Sequence, residues 1–456
     1  MATPCIAQTA FRFQRNSKLV VARFDTPHAS SDGGAVLLKA IDAQIRLSER
    51  LVRCLRDRRQ PSKVQHSLVD LLRQRLFGLA CGYPDCNDAA RLADDPIHKL
   101  LLDRDPLSGP TLGSQPTLSR FENAVGPMAL YRLADALADT VLEFHQRRLR
   151  GRVTRVTIDL DQTDDPTHGQ QELALFNGFY DTWCYLPLIA TVTFNDEPAQ
   201  YAVAALLRPG RRASGREVVA VLRRLLAKVR AAFPKAQLCV RLDAGFAGPV
   251  LLDFLAAAGI EYVVALQGYA PLAKRVRRLQ GRARMLARAS GQSVRLFGET
   301  RYAAKSWSHK RRVIMKAEVL RYPGRPSKDN PRFVVTNLPQ PPEVVYTIYC
   351  GRGDMENRLK ELQHGLAMDR TSCSRFAANQ LRLLLALAAF VLFQVLQSHA
   401  GRTDCAEAQV STLRERMIKL AAWVTRSARR IVLHLPLNAP WLRTWRQIAA
   451  AVAAAP

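Results

Sequence analysis

The chain is 456 residues long, 48% hydrophobic, and carries a net charge of +28. The hydrophobic content excludes a disordered polymer, and the length allows about two to four domains. The charge points to a polyanion, nucleic acid before an anionic membrane surface, and a sugar-cleaving enzyme with paired carboxylates would leave +28 unexplained.

Residues 1–30 read as extended or loose, with no apolar core of a signal peptide. From Gly33 to Tyr131 apolar residues recur near the helical period, punctuated by Pro61, Gly82, Pro84, Gly109 and Pro110. Residues 1–150 are therefore expected to form an N-terminal helical, DNA-binding region. Within it, residues 115–122 read as a turn and a helix start, with Thr117 as the cap and Arg120 facing phosphate.

At Val153 the period becomes two. Asp159 and Asp161 fall on one face, and Val156, Ile158 and Leu160 on the other. Strands are expected at 184–194, 200–207, 237–243 and 262–266, with helices at 215–233 and 248–258. The order β-β-β-α-β-α-β predicts an α/β domain over 151–268, a mixed sheet flanked by helices. Residues 269–340 interrupt the pattern: 274–332 hold 18 Lys and Arg against 3 acids, over half of the net charge. Strands are expected there at 294–307, 312–321 and 332–338, as an inserted basic β-rich module. Residues 341–400 return to helix. The apolar run 383–393 is short of the ~20 residues of a membrane span and reads as a buried helix. Residues 401–456 form a helical tail, with 426–431 as a basic helix. The nine cysteines hold no C-x-x-C pair, so a zinc or disulfide framework is not expected and a reducing cytoplasm is.

The chemistry is carried by two acidic strand ends, Asp161-Gln-Thr163 and Asp243-Ala-Gly245, and by Tyr349-Cys-Gly-Arg352-Gly-Asp-Met-Glu356-Asn-Arg-Leu-Lys360. Carboxylates from separate elements converging on one point suit two divalent ions such as Mg²⁺, which take oxygen ligands and serve phosphodiester cleavage. Singly, a strand-end Asp is usually a turn or cap residue, and Glu356 could simply complement the helix dipole.

Tyr349-x2-Arg352-x3-Glu356 opens the Y-x2-R-x3-E-x6-K signature, whose last position here is Gln363. With the motifs at Asp161 and Asp243 and the long interval before Glu356, the chain resembles the ribonuclease H-like DDE transposases of bacterial insertion sequences. It is most similar to insertion sequence family 1380, related to family 4. Thr167-His168-Gly-Gln-Gln171 and Tyr185-Leu-Pro187 are also family-typical, and the resemblance runs from about Gly33 to Leu435. It implies that Asp161, Asp243 and Glu356 are catalytic and hold Mg²⁺, with Mn²⁺ as substitute. Asp159 is the rival for the first position. Tyr349 and Arg352 would line the same side, with Lys360 standing in for the signature lysine. Arg208, Arg211, Arg212, Lys305, Trp307, Lys310, Arg311 and Arg312 are the candidate DNA contacts. The partners implied are double-stranded DNA with terminal inverted repeats and a second copy in a synaptic homodimer. The alternatives are a metal-dependent nuclease without strand transfer and a non-catalytic DNA-binding descendant.

Overall fold

The computed structural model describes residues 11–13, 20–22 and 25–454; Cys5 and most of the segment expected to be extended lie outside them. Among the described residues seven α-helices precede the sheet: α1 (Val36–Ile45), α2 (Leu47–Arg53), α3 (Leu68–Ala80), α4 (Cys86–Arg91), α5 (Pro96–Leu101), α6 (Gln115–Ala124) and α7 (Pro127–Leu149). Helix α3 starts where Ser67 and Asp70 bond reciprocally to each other's backbone N–H, which satisfies two orphan donors. Helix α6 is preceded by Ser114, not capped by Thr117, whose hydroxyl instead bonds Ser114 Oγ at 3.1 Å.

The central sheet contains eight long strands: β1 (Arg155–Gln162), β2 (Leu188–Phe194), β3 (Tyr201–Leu206), β4 (Gln237–Leu242), β5 (Glu261–Leu266), β6 (Val294–Tyr302), β7 (Arg311–Leu320) and β8 (Arg332–Thr336). Their order is β6-β7-β8-β5-β4-β1-β2-β3. The first five strands thus lie in the order 3-2-1-4-5. β1, β4 and β5 are parallel, and β2 and β3 are antiparallel additions. Helices α8 (Gly215–Ala232) and α9 (Pro249–Ala257) make the two crossovers that parallel neighbours need. This is the expected α/β, ribonuclease H-like arrangement. The strand expected at 184–194 is two: Pro187 separates Thr182–Tyr185, which belongs to a small side sheet, from β2. Proline has no N–H to donate to a ladder.

The basic segment 269–340, expected as an inserted β-rich module, has its three long strands close to the expected positions. It opens, however, with a 21-residue helix, α10 (Ala270–Ser290), and its strands extend the central sheet because β8 pairs with β5. Val313, Met315 and Ala317 of β7 join the main core with Leu272 and Val276 of α10. The alternate residue Ile314 packs instead with Val345 of α11 (Pro342–Cys350), so helices cover both faces. Helix α12 (Gly353–Lys360) runs into one π-helical turn, Glu361–Gly365.

The apolar run lies in α13 (Phe376–His399), which is 24 residues long. That length suffices for a membrane span, contrary to the expectation from the run alone; the helix is nonetheless almost wholly buried. It covers the outer edge of β3 with two glutamines. Gln394 accepts from Ala202 N at 3.1 Å, and Gln380 accepts from Leu207 N at 2.7 Å. Backbone groups that would otherwise invite another strand are thereby satisfied. Two more helices, α14 (Val410–Leu413) and α15 (Leu442–Ala454), lie in the C-terminal region. Residues 426–431 are not a helix. Ala422–Arg426 and Ile431–His434 form a hairpin, turned where Ser427 N donates to Arg430 O at 2.8 Å. The β-branched run Ile431-Val432 favours that outcome.

Candidate active site

The register of β1 and β4 brings the first two acids together. The last parallel pair is Leu160 opposite Leu242, so Asp161 and Asp243 are the next residues of two neighbouring strands. Such strands lie roughly 4.8 Å apart. Asp243 opens a short turn, with its carboxylate accepting from Gly245 N at 2.8 Å. Asp161 is buried, and it accepts a 2.5 Å hydrogen bond from Arg352 Nη2. Burial pushes its pKa up most; Arg352 opposes this, the charge of Asp243 adds to it, and the result is about 6. Two adjacent anions in a partly buried place are an arrangement that favours a cation.

Arg352 stands in the elbow between α11 and α12. Its Nη1 lies 3.8 Å from Glu356 Oε1, one turn on, so one guanidinium touches the first and third predicted acids. Its Nε is buried with no hydrogen-bond partner among the described residues. Glu356 is exposed, as is Lys360 one turn later. Tyr349 lies in the last turn of α11, and burial raises its hydroxyl pKa, which Asp243 raises further. The structure thus joins Asp161, Asp243, Arg352 and Tyr349 closely, reaches Glu356 through Arg352, and leaves Lys360 at the rim. Gln363, at the position of the signature lysine, donates to Thr163 Oγ1 at 2.9 Å and to Asp164 O at 3.2 Å. It ties the helix to the loop that follows Asp161.

Asp159 has a different role from its neighbour. It is fully buried and held by Arg241, with Nε at 2.9 Å from Oδ1 and Nη2 at 2.6 Å from Oδ2. Arg241 stands directly opposite it in the register. Arg241 Nη1 also donates to Ile348 O at 3.0 Å, and Gln200 Nε2 donates to Gly351 O at 3.0 Å. The buried pair therefore props the α11–α12 elbow. A Cβ on Gly351 would lie 2.3 Å from Arg241 Nη1, so the elbow needs glycine for space, its φ of −60° being ordinary. Sequence reasoning passed over Arg241, Gly351 and Gln200. The signal available was Arg241-x-Asp243 running beside Asp159-x-Asp161.

Several expected DNA contacts are engaged within the protein. Arg208 is buried and pairs with Glu217 at 2.8 Å. Arg311 is buried against Asp253 and Tyr262 Oη. Arg312 is held by Glu299 and by Gln340 O at 2.8 Å. Trp307 is half-buried edge-on to Tyr302 at 5.7 Å, so it packs in the protein. Arg211 is exposed despite a 3.3 Å contact to Glu217, and Arg212, Lys305 and Lys310 are exposed. The larger basic surface is α10. Its Leu272, Val276, Gln280, Ala283 and Ala287 face inward, while Lys274, Arg277, Arg278, Arg282 and Arg288 are exposed without a charged partner among the described residues.

A second group of possible metal ligands, Asp32, Cys81 and His98, has one donor atom each within 4.8 Å of the others. It can hold an ion by position, and sequence spacing gave no sign of it. It is fully buried, with Cys81 at the end of α3 and His98 in α5. Burial would raise the Asp32 pKa, but hydrogen bonds from His98 at 2.9 Å and Lys419 at 2.7 Å outweigh that and lower it. Burial raises the Cys81 thiol far above its usual range, which disfavours the thiolate that a metal needs. The cluster reads better as a closed hydrogen-bond network joining the N-terminal helices to residue 419.

No curated protein matches the chain. The sequence family described as Transposase DDE domain group 1 matches residues 12–456, nearly the whole length. That family implies DNA binding in general. The chain belongs to the group 1 family of DDE-domain transposases.

Proposed function

We propose that this protein is a transposase, in the branch of insertion sequence family 1380. It would cut the terminal inverted repeats of its element and join them to target DNA, acting in the bacterial cytoplasm as a synaptic homodimer. The observation that carries this reading is the side-by-side exit of Asp161 and Asp243 from parallel strands, with Arg352 bonded to Asp161 and reaching Glu356. Asp161, Asp243 and Glu356 are the proposed metal ligands. The donor set fits a hard divalent cation such as Mg²⁺ or Mn²⁺, because it offers carboxylate oxygens and the chain already sets a positive group against two of the three. Two such ions, when bound, supply an activated hydroxyl nucleophile and stabilise the leaving oxygen.

The protein's own groups do the rest. With a pKa near 6, Asp161 is ionised at neutral pH despite its burial. The forked guanidinium of Arg352, beside Asp161 and Glu356, is suited to a non-bridging phosphate oxygen. Gln363 and the Asp159–Arg241 pair keep the elbow in register with the strand ends. The cations of α10 supply a path for the phosphate backbone.

The test is cleavage and joining of duplexes carrying the flanking repeats of the gene, with Mg²⁺ or with EDTA. Metal-dependent cuts at the repeat ends with joined products, lost in Asp243→Asn, support the transposase. Cuts without joining make it a nuclease, and specific binding without cuts makes it a DNA-binding descendant.

A further inference from the structure

The loop after β1 carries a feature that the cleavage chemistry leaves unused. Leu175–Asn177 and Thr182–Tyr185 pair as a hairpin, with Asp165–Pro166 as its third strand. Its aromatic side chains point to solvent: Phe176 is 54% exposed, Phe179 87% and Trp183 57%. The rings stand in edge-to-face pairs, Phe176 with Trp183 and Phe179 with Tyr180. Exposed aromatic rings gathered in one patch mark a binding surface more often than chance exposure.

The patch is held in place. Asn177 accepts from Phe179 N at 2.9 Å and donates to Gly210 O at 2.7 Å. Thr167 bonds Trp183 O through both its N–H and its hydroxyl. A Cβ on Gly210 would lie 2.3 Å from Cys184 O and 2.6 Å from Leu175 O, so only glycine lets the basic loop press against the hairpin. Exposed Arg211 and Arg212 follow it directly. On the other side the hairpin joins the acidic strand ends, since its third strand begins at Asp165, four residues after Asp161, and pairs with Tyr185.

Aromatic faces between a cationic loop and a phosphate-processing site match the chemistry of an unpaired nucleotide, whose base stacks while its backbone is neutralised. We propose that the hairpin of Phe176, Phe179, Tyr180 and Trp183 is a stacking platform for an unpaired nucleobase beside the scissile phosphate. This rests on the DNA-cutting role proposed above. The neighbouring arginines favour nucleic acid over a second copy of this chain, whose net charge is also strongly positive.

The experiment uses the full chain with two probes, oligothymidylate and a blunt duplex of equal length. Phe179→Ala removes a ring that packs against little but Tyr180, so the fold is not at stake; Trp183→Ala and Phe179→Tyr complete the set. The alanine variants should weaken oligothymidylate binding roughly 5- to 150-fold, the range for loss of one stacked base. Duplex binding should change less than about twofold, since it is dominated by the phosphate backbone, and Phe179→Tyr should restore strand binding. Unchanged strand binding, or equal losses on both probes, overturns the platform and leaves duplex recognition standing. Wild-type protein that binds neither probe overturns the DNA-cutting role and the platform together. A loss of self-association in the alanine variants, with strand binding intact, assigns the patch to a second copy and overturns the proposal.

Discussion

Asp159 and Asp161 share a strand and a face, and burial raises the pKa of both, but only Asp159 is gripped by two guanidinium bonds inside a fully buried pair, and substitution separates them. Asp159→Asn removes one charge from a fully buried pair and leaves Arg241 without its partner. Breaking such a pair costs about 3–5 kcal/mol. At about 2–4 °C per kcal/mol for a large domain, the melting temperature should fall by roughly 6–20 °C. Asp161→Asn leaves the half-buried Arg352 still beside Glu356, so its melting temperature should stay within about 3 °C of wild type. Activity should follow another order: Asp161→Asn abolishes cleavage in a stable protein, whereas Asp159→Asn loses it together with the fold. The assay is thermal denaturation followed by cleavage at a temperature where both variants are folded. An Asp159→Asn protein as stable as wild type but without activity would refute the reasoning, because Asp159 would then be the ligand and its ion pair incidental.

Gly351→Ala should displace the Arg241 guanidinium and lower cleavage at least tenfold with modest loss of stability, about 1–3 kcal/mol; unchanged kinetics would show that the elbow tolerates the shift. Mg²⁺ should raise the melting temperature of the wild type and not of Asp161→Asn or Asp243→Asn. The gain should shrink below about pH 6, where a proton competes for Asp161. Asp165, held by Thr371 Oγ1 at 2.9 Å, has its pKa raised by burial to about 8. Raised above the unfolded value, it makes the folded state bind the proton more tightly, so its contribution to stability falls as pH rises from about 4 to about 8. Asp165→Asn should flatten that fall in a melting series. Replacing Lys274, Arg278 and Arg282 by glutamine should reduce the slope of log affinity for duplex DNA against log salt by about 2–3, and an unchanged slope would remove α10 from the DNA path.

The parts of this site that were legible in the sequence were those set by local period. Alternation placed Asp161 at the end of β1 and Asp243 at the end of β4, and parallel pairing of those strands did the rest. Local period could not separate Asp159 from Asp161. The difference lies in what stands opposite, and Arg241 is 82 residues away in the chain. The same limit hid the role of Gln363, whose partner Thr163 is 200 residues away. In the basic segment the error was of another kind. The spacing of Leu272, Val276, Gln280, Ala283 and Ala287 follows one helix face, but the density of arginine drew the reading toward charge rather than period. Once the helix is seen, the charges sort themselves. Arg311 and Arg312, on a strand between two others, find acids and carbonyls within the protein, as Arg284 of α10 finds Asp329, whereas Arg277, Arg278, Arg282 and Arg288 on the same helix have no charged partner among the described residues. A count of charges therefore locates a polyanion surface only to within a segment. Which arginines are free is decided by which element carries them, because only a face turned from the core can keep a cation both exposed and unpaired.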